Sequence, residues 1–321
     1  MQEILLVTFP FFALVLGGYL AARFRVLQLD AIPGLNGFVL YFALPCMLYR
    51  FGADTPIDKL LSFGLFATYL LCAMLMVAMA IVFARGRRIG IKDASFGALV
   101  AAFPNSGFMG MPLLGTLVGE AAAGPLLISI SIDMVITSSV CIALANRAES
   151  SGKSMGASLL QSIKGIAVNP LPWAILLGGA ASATQFRLPL PVADTVNMLA
   201  NAGPPTALFT IGAVLARSQM RASSNVPRSG QTVDVLFVVI LKLFVHPLMI
   251  LAVGSLAISF GLDLEPTALA LLALVASLPS ASNVPMLAER FQADTGRVAR
   301  IVLFSTALSF GTFSWAVIWL T

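Results

Sequence analysis

Long apolar runs separated by short polar stretches dominate this chain. Each run approaches the ~20 residues that a helix needs to cross a bilayer core. Hydropathy places ten of them, at roughly 4–22, 34–51, 60–84, 94–118, 123–145, 163–184, 193–216, 233–259, 266–289 and 299–320. Two runs are interrupted. In the fourth, Phe103-Pro104-Asn105-Ser106-Gly107-Phe108-Met109-Gly110-Met111-Pro112 sets two prolines and two glycines where a helix would continue. Pro104 and Pro112 remove backbone donors and the glycines lower helix propensity, so an unbroken helix is not expected. In the ninth, Pro279-Ser280-Ala281-Ser282-Asn283-Val284-Pro285 again puts small hydroxyls and one Asn between two prolines. Broken backbone persists in lipid only where protein or a water-filled cavity surrounds it. Polar residues at both breaks therefore mark a candidate site.

The two halves of the chain correspond. Ala98-Leu99-Val100-Ala101-Ala102-Phe103-Pro104 aligns with Ala273-Leu274-Val275-Ala276-Ser277-Leu278-Pro279, with five of seven positions identical at a constant offset of 175. Ala43-Leu44-Pro45 in the second span has a counterpart in Gly203-Pro204-Pro205 of the seventh, and Pro10 of the first in Pro170 and Pro172 of the sixth. Five helices followed by five similar ones place the second copy in the opposite orientation. Such an inverted repeat is a common plan of secondary transporters, with the site where discontinuous helices meet. The expected fold is an all-α polytopic membrane protein of ten transmembrane helices in a 5+5 inverted repeat. The first repeat covers 1–146, a polar connector 147–161 and the second repeat 162–321, with no soluble domain.

Composition agrees: of 321 residues, 59% are hydrophobic and 10% charged, with a mean hydropathy of +0.95. A soluble domain carries about a quarter charged residues. Cys46, Cys72 and Cys141 have no metal-like or paired spacing, and one histidine makes no case for a metal-dependent enzyme. No nucleotide-binding loop or other cofactor motif is present, and nothing points to nucleic acid. Met1-Gln2-Glu3 offers no basic stretch of a secretory signal, so the first helix is expected to stay.

The placement of charge sets the orientation. One side collects Arg23 and Arg25; Arg85, Arg87, Arg88 and Lys92; Arg147, Lys153 and Lys164; Arg217, Arg221 and Arg228; Arg290, Arg297 and Arg300. The other holds only Arg50, Lys59 and Arg187, while Lys242 lies within a span. The positive-inside rule then puts both termini outside. The loop bases read as topological signals.

Pro104-Asn105, Met109-Gly110, Pro112-Leu113-Leu114 and Gly119-Glu120 resemble the fourth-helix motif of the auxin efflux carrier family, which includes plant auxin exporters and bacterial malonate and malate permeases. Asn169-Pro170, the Pro279–Pro285 stretch running into Met286-Leu287-Ala288-Glu289-Arg290-Phe291, and Asn36, Phe38, Val39 and Pro45 resemble further family motifs. The resemblance implies a fold of the sodium/proton antiporter and bile-acid transporter type, with broken helices four and nine crossing near the midplane. It implies a scaffold part and a transport part that moves elevator-fashion, with an organic anion beside the crossing. By this resemblance Asn105 stands where the plant proteins bind the carboxylate. The same resemblance allows a homodimer through scaffold helices. The plant carriers' long loop is absent, which points to the compact bacterial type, in the inner membrane.

The expected substrate-binding set is Pro104, Asn105, Ser106, Gly107, Ser280, Ser282 and Asn283, because half-helix N-termini suit a carboxylate. Asp133, flanked by Ser129, Ser131 and Thr137, is a deep carboxylate and so a functional candidate. As an anion it would repel an anionic substrate unless protonated or paired, so proton-coupled symport is the leading reading, with H+ or Na+ as the coupling ion. Lys242 and His246, four apart on one helical face, neutralise Asp133, attract the substrate or pair structurally. The function expected is a secondary carrier of a small organic anion such as malonate or malate. The alternative is a sodium-coupled carrier of larger amphipathic carboxylates, for which Glu120 and Glu289, near span ends, supply little. An intramembrane hydrolase lacks a second deep acid or a serine paired with His246.

Overall fold

The computed structural model describes residues 2–56, 62–147, 170–222 and 231–320. The connector beyond Arg147, the start of the sixth span with Asn169, and the Ser223–Pro227 loop lie outside the described residues. Apart from one isolated bridge, the described residues are helical or in connections. The helices are α1 (Gln2–Arg23), α2 (Leu29–Asp54), α3 (Phe63–Gly86), α4 (Ile91–Ala102), α5 (Ser106–Val118), α6 (Ala123–Asn146), α7 (Pro170–Thr184), α8 (Leu190–Ala222), α9 (Thr232–Ser259), α10 (Pro266–Ala276), α11 (Val284–Arg290) and α12 (Thr295–Leu320). Among the described residues six helices (α2, α3, α6, α9, α12 and the Leu190–Arg217 part of α8) are long and apolar enough to cross a membrane. Shorter apolar helices at Phe9–Arg23, Ser106–Val118 and Pro266–Ala276 accompany them. The described residues are those of a multi-pass, all-helical membrane protein.

The helices pack in two groups. α1, α2, α7 and α8 lie against one another, and α3, α4, α6, α9, α10, α11 and α12 form the other group. α5 touches α8 across the boundary, and α12 contacts α1 and α8. The first group is drawn close by small residues, as lipid-embedded helices require when apolar burial alone cannot drive their association. A Cβ on Gly18 would sit 1.8 Å from the Phe209 carbonyl oxygen, and one on Gly212 1.8 Å from that of Val15, so α1 and α8 meet backbone to backbone. Gly52 and Gly178 do the same for α2 and α7.

Proline explains the local irregularities. The wide π turns Val39–Ala43, Ser106–Gly110 and Leu241–Val245 end two residues before Pro45, Pro112 and Pro247. A proline inside a helix lacks its N–H and crowds the carbonyl one turn back, and a π turn there gives the ring room while the helix continues. Pro112, expected to close the first break, is absorbed in this way inside α5. Pro285 sits in the first turn of α11. The true breaks are therefore Phe103–Asn105 and Ser277–Asn283. A fourth π turn, Asp133–Thr137, has no proline, and its first residue is the deep carboxylate.

The glycine contacts lead to a stability prediction. Gly212→Leu must overpack the α1–α8 seam and is expected to cost about 1–3 kcal/mol or more, seen as a lower melting midpoint of the purified protein in detergent. Gly17→Ala, where an added Cβ meets nothing within 4 Å, should not lower the midpoint, because a helix interior favours Ala over Gly.

Candidate functional site: the crossing and its buried charges

The two breaks meet side by side and satisfy one another. Pro104 and Pro279 have no N–H, and helix termini leave further backbone groups without intrahelical partners. The Asn105 N–H donates to the Pro279 carbonyl at 2.8 Å and the Ala281 N–H to the Phe103 carbonyl at 2.9 Å, forming an antiparallel bridge between Pro104 and Ser280. α12 adds a support: Ser280 N–H donates to Ser305 Oγ at 3.2 Å. α6 adds another, with Ser129 Oγ 3.2 Å from Ser106 Oγ. Gly110 must be small, because a Cβ there would lie 2.6 Å from Leu278 of the other break.

Two polar groups at the crossing have no partner. Asn105 Nδ2 and Ser280 Oγ are buried and make no hydrogen bond. Such groups are costly to leave unpaired, and each one calls for an explanation. Ser106 is buried and Gly107 half-buried at the N-terminus of α5, and beside Gly107 there is open space. The first N–H groups of α5 and the positive end of its dipole favour an anion here. From the second break, Ser282 is buried and Asn283 half-buried, immediately before α11. The seven residues expected to bind substrate thus lie on two adjoining segments.

Lys242 belongs to the same place. Its Nζ donates to the carbonyl of Ala276, the last residue of α10, at 3.0 Å, and lies 3.0 Å from His246 Nδ1. The C-terminal end of a helix is negative, so the ammonium offsets the charge of the half-helix that ends at the crossing. His246 Nε2 is buried and without a partner. Asp133, completely buried on α6, is held by hydroxyls: Tyr69 donates to Oδ2 at 2.5 Å and Thr137 to Oδ1 at 3.0 Å. The structure therefore brings Asp133, Lys242 and His246 together around Tyr69, whose ring centroid is 6.0 Å from that of His246. Nothing in the sequence marked Tyr69, since an aromatic in an apolar run reads as packing.

Arg297 is buried rather than a loop base. Counted among the loop bases, it is 2% exposed in the first turn of α12, with Nε 2.5 Å from Asp234 Oδ2 on α9. Its Nη1 donates to the Asp93 carbonyl on α4 at 2.6 Å, and a Cβ on Gly97 would collide with its guanidinium. Asp93 Oδ1 accepts the Asp294 N–H, and Asp294 Oδ1 accepts the Arg297 N–H. This cluster pins the N-terminal ends of α4, α9 and α12 together. Opposite charges at the openings of the eighth and tenth spans were the available signal. No group of three or more His, Cys, Asp or Glu able to hold a metal ion occurs among the described residues.

Comparison with known proteins covers nearly the whole chain. A family model described as "Membrane transport protein" matches residues 4–317. A Rhizobium meliloti (strain 1021) protein named "Putative malonate transporter" is 30% identical over 317 residues, covering 97% of this chain and 94% of that protein. "Uncharacterized transporter YfdV" of Escherichia coli (strain K12) is 26% identical over 293 residues, 89% of this chain and 88% of that protein. "Auxin efflux carrier component 8" of Arabidopsis thaliana is 20% identical over 357 residues, covering 95% and 94%.

The Arg297–Asp234 pair is testable apart from any activity. Arg297→Met alone leaves a buried carboxylate unpaired and should cost about 3–5 kcal/mol, read as a lower unfolding midpoint in detergent. Adding Asp234→Leu should recover most of that loss.

Proposed function

The chain belongs to the family of membrane transport proteins that includes the auxin efflux carriers, and from that premise we propose that it is a secondary active carrier of a small organic anion, a dicarboxylate such as malonate. The observation that carries this reading is the crossing itself. A carboxylate there meets the unpartnered Asn105 Nδ2 and Ser280 Oγ, the N–H groups opening α5, and Lys242 one hydrogen bond away at the end of α10. The Asn105 amide donor and the backbone N–H groups can serve an anion, and Lys242 sets the preference for one over a cation. The relative named for malonate supports this substrate class.

The movement proposed is of the elevator type. The packing of α1, α2, α7 and α8 as one group, met at its boundary by α5 and α12, supports a scaffold past which the crossing travels. The two halves, each with five spans, form the inverted repeat of a ten-helix carrier. Asp133 is the group we assign to proton coupling, because its carboxyl is held by neutral hydroxyls and is free to exchange a proton without breaking an ion pair at those contacts. The chain's likeness to compact bacterial carriers supports a bacterial inner membrane as its location, and the charge bias supports an orientation with both termini periplasmic.

Reconstitution in proteoliposomes tests the proposal. Labelled malonate and malate are expected to show saturable uptake driven by an imposed proton gradient, whereas absence of saturable carboxylate flux would overturn the carrier reading. Flux that follows a sodium gradient and ignores the proton gradient would remove Asp133 from its role. Asn105→Ala should weaken malonate binding about 10- to 100-fold, the range of a lost hydrogen bond to a charged group, while the protein still inserts and keeps its melting midpoint. Unchanged affinity would move the site away from the crossing.

A further inference from the structure

Tyr69 falls outside the motifs of the breaks, yet it touches both Asp133 and His246, the partner of Lys242. It is completely buried on α3, with its hydroxyl on Asp133 Oδ2 at 2.5 Å and its ring tilted against His246. Thr137 holds the other carboxyl oxygen at 3.0 Å. Asp133 is thus served by two neutral hydroxyls. Lys242, in turn, is held by the Ala276 carbonyl and by His246. Opposite charges in a low-dielectric interior attract strongly, so separate neutral partners for Asp133 and Lys242 need a device that keeps them. The titratable groups around Asp133 and its partners are Tyr69 and Cys72 on α3, Cys141 on its own helix, and Lys242 and His246 on α9.

We propose that Tyr69 is the positioning residue of the coupling machinery: by occupying Asp133 Oδ2 it keeps the carboxyl from Lys242, so that Lys242 stays at the end of α10, beside the crossing. The inference rests on the reading of the crossing as an anion site and of Asp133 as the coupling group. It adds a residue that links the two. While Tyr69 holds Asp133, the ammonium serves the crossing and attracts substrate. Without the phenol, Lys242, the cation whose charge acts on Asp133, becomes a competitor for the freed oxygen. Its departure would expose the Ala276 carbonyl and take positive charge from the anion site.

Tyr69→Phe keeps the ring against His246 and removes only the hydroxyl. Infrared spectroscopy of the purified protein identifies the Asp133 carboxyl band as the one missing in Asp133→Asn, and follows its titration. The expected result is that Tyr69→Phe moves the midpoint in one direction where Lys242 is present to pair with the freed carboxylate, and in the opposite direction in a Lys242→Met background, where a hydrogen bond to the carboxylate is only lost. An unmoved midpoint, or a shift in the same direction with and without Lys242, overturns the proposal. Malonate binding and uptake supply a second readout. Tyr69→Phe should weaken malonate binding about tenfold and displace the pH profile of transport, while in the Asp133→Asn background, which is expected to lose coupled uptake, it should change the Kd for malonate less than about twofold. Equal effects in both backgrounds would mean a packing role only. Because the infrared titration needs no substrate, failure of the malonate reading and failure of this inference are separable.

Discussion

Two backbone hydrogen bonds, from Asn105 to Pro279 and from Ala281 to Phe103, hold the centre of this protein together. Each helix break would otherwise leave polar backbone in a membrane interior, where an unmet N–H or carbonyl costs several kcal/mol. Pairing the breaks removes that cost for the bonded groups and leaves a few groups over. Those left over, the Asn105 amide nitrogen and the Ser280 hydroxyl, are the chemistry that the crossing offers a ligand. Much of the surrounding packing secures this arrangement: Ser305 reaches in from α12, Ser129 from α6, and Gly110 lets Leu278 approach.

Charge follows from the same geometry. A crossing of broken helices brings positive and negative helix ends to one place, and by itself has no preference of sign. Lys242 on the final carbonyl of α10 tips the balance toward an anion. Asp133 would tip it back, yet its oxygens are engaged by Tyr69 and Thr137. Farther along the bundle, Arg297, Asp234 and the Asp93 carbonyl clamp three helix ends. That clamp holds the N-terminal ends of α4, α9 and α12 in fixed relation to one another.

The breaks were legible in the sequence because proline in an apolar run cannot be hidden, and because the same run recurs 175 residues later. Asp133 and Lys242 were legible because charge inside a membrane is expensive. The extent of each break was not. Pro112 and Pro285 looked like its far edges, but a π turn absorbs the first and a helix start accepts the second. Tyr69 was illegible because its hydroxyl, not its ring, does the positioning, and a period of apolar residues carries no record of that. Arg297 was read as a loop base because its burial depends on Asp234 and Asp93, which approach it from distant parts of the chain.

The central claim is that a carboxylate lies against Asn105 at the crossing. Solid-state NMR in lipid, with carboxyl-13C malonate and 15N-labelled asparagine side chains, measures that distance directly. The account predicts a dipolar coupling that places a malonate carboxyl carbon within about 4 Å of an asparagine Nδ2, the reach of one N–H···O contact, and that disappears in Asn105→Ala. Malonate that binds with no such coupling, or with a coupling that survives in Asn105→Ala, would contradict it.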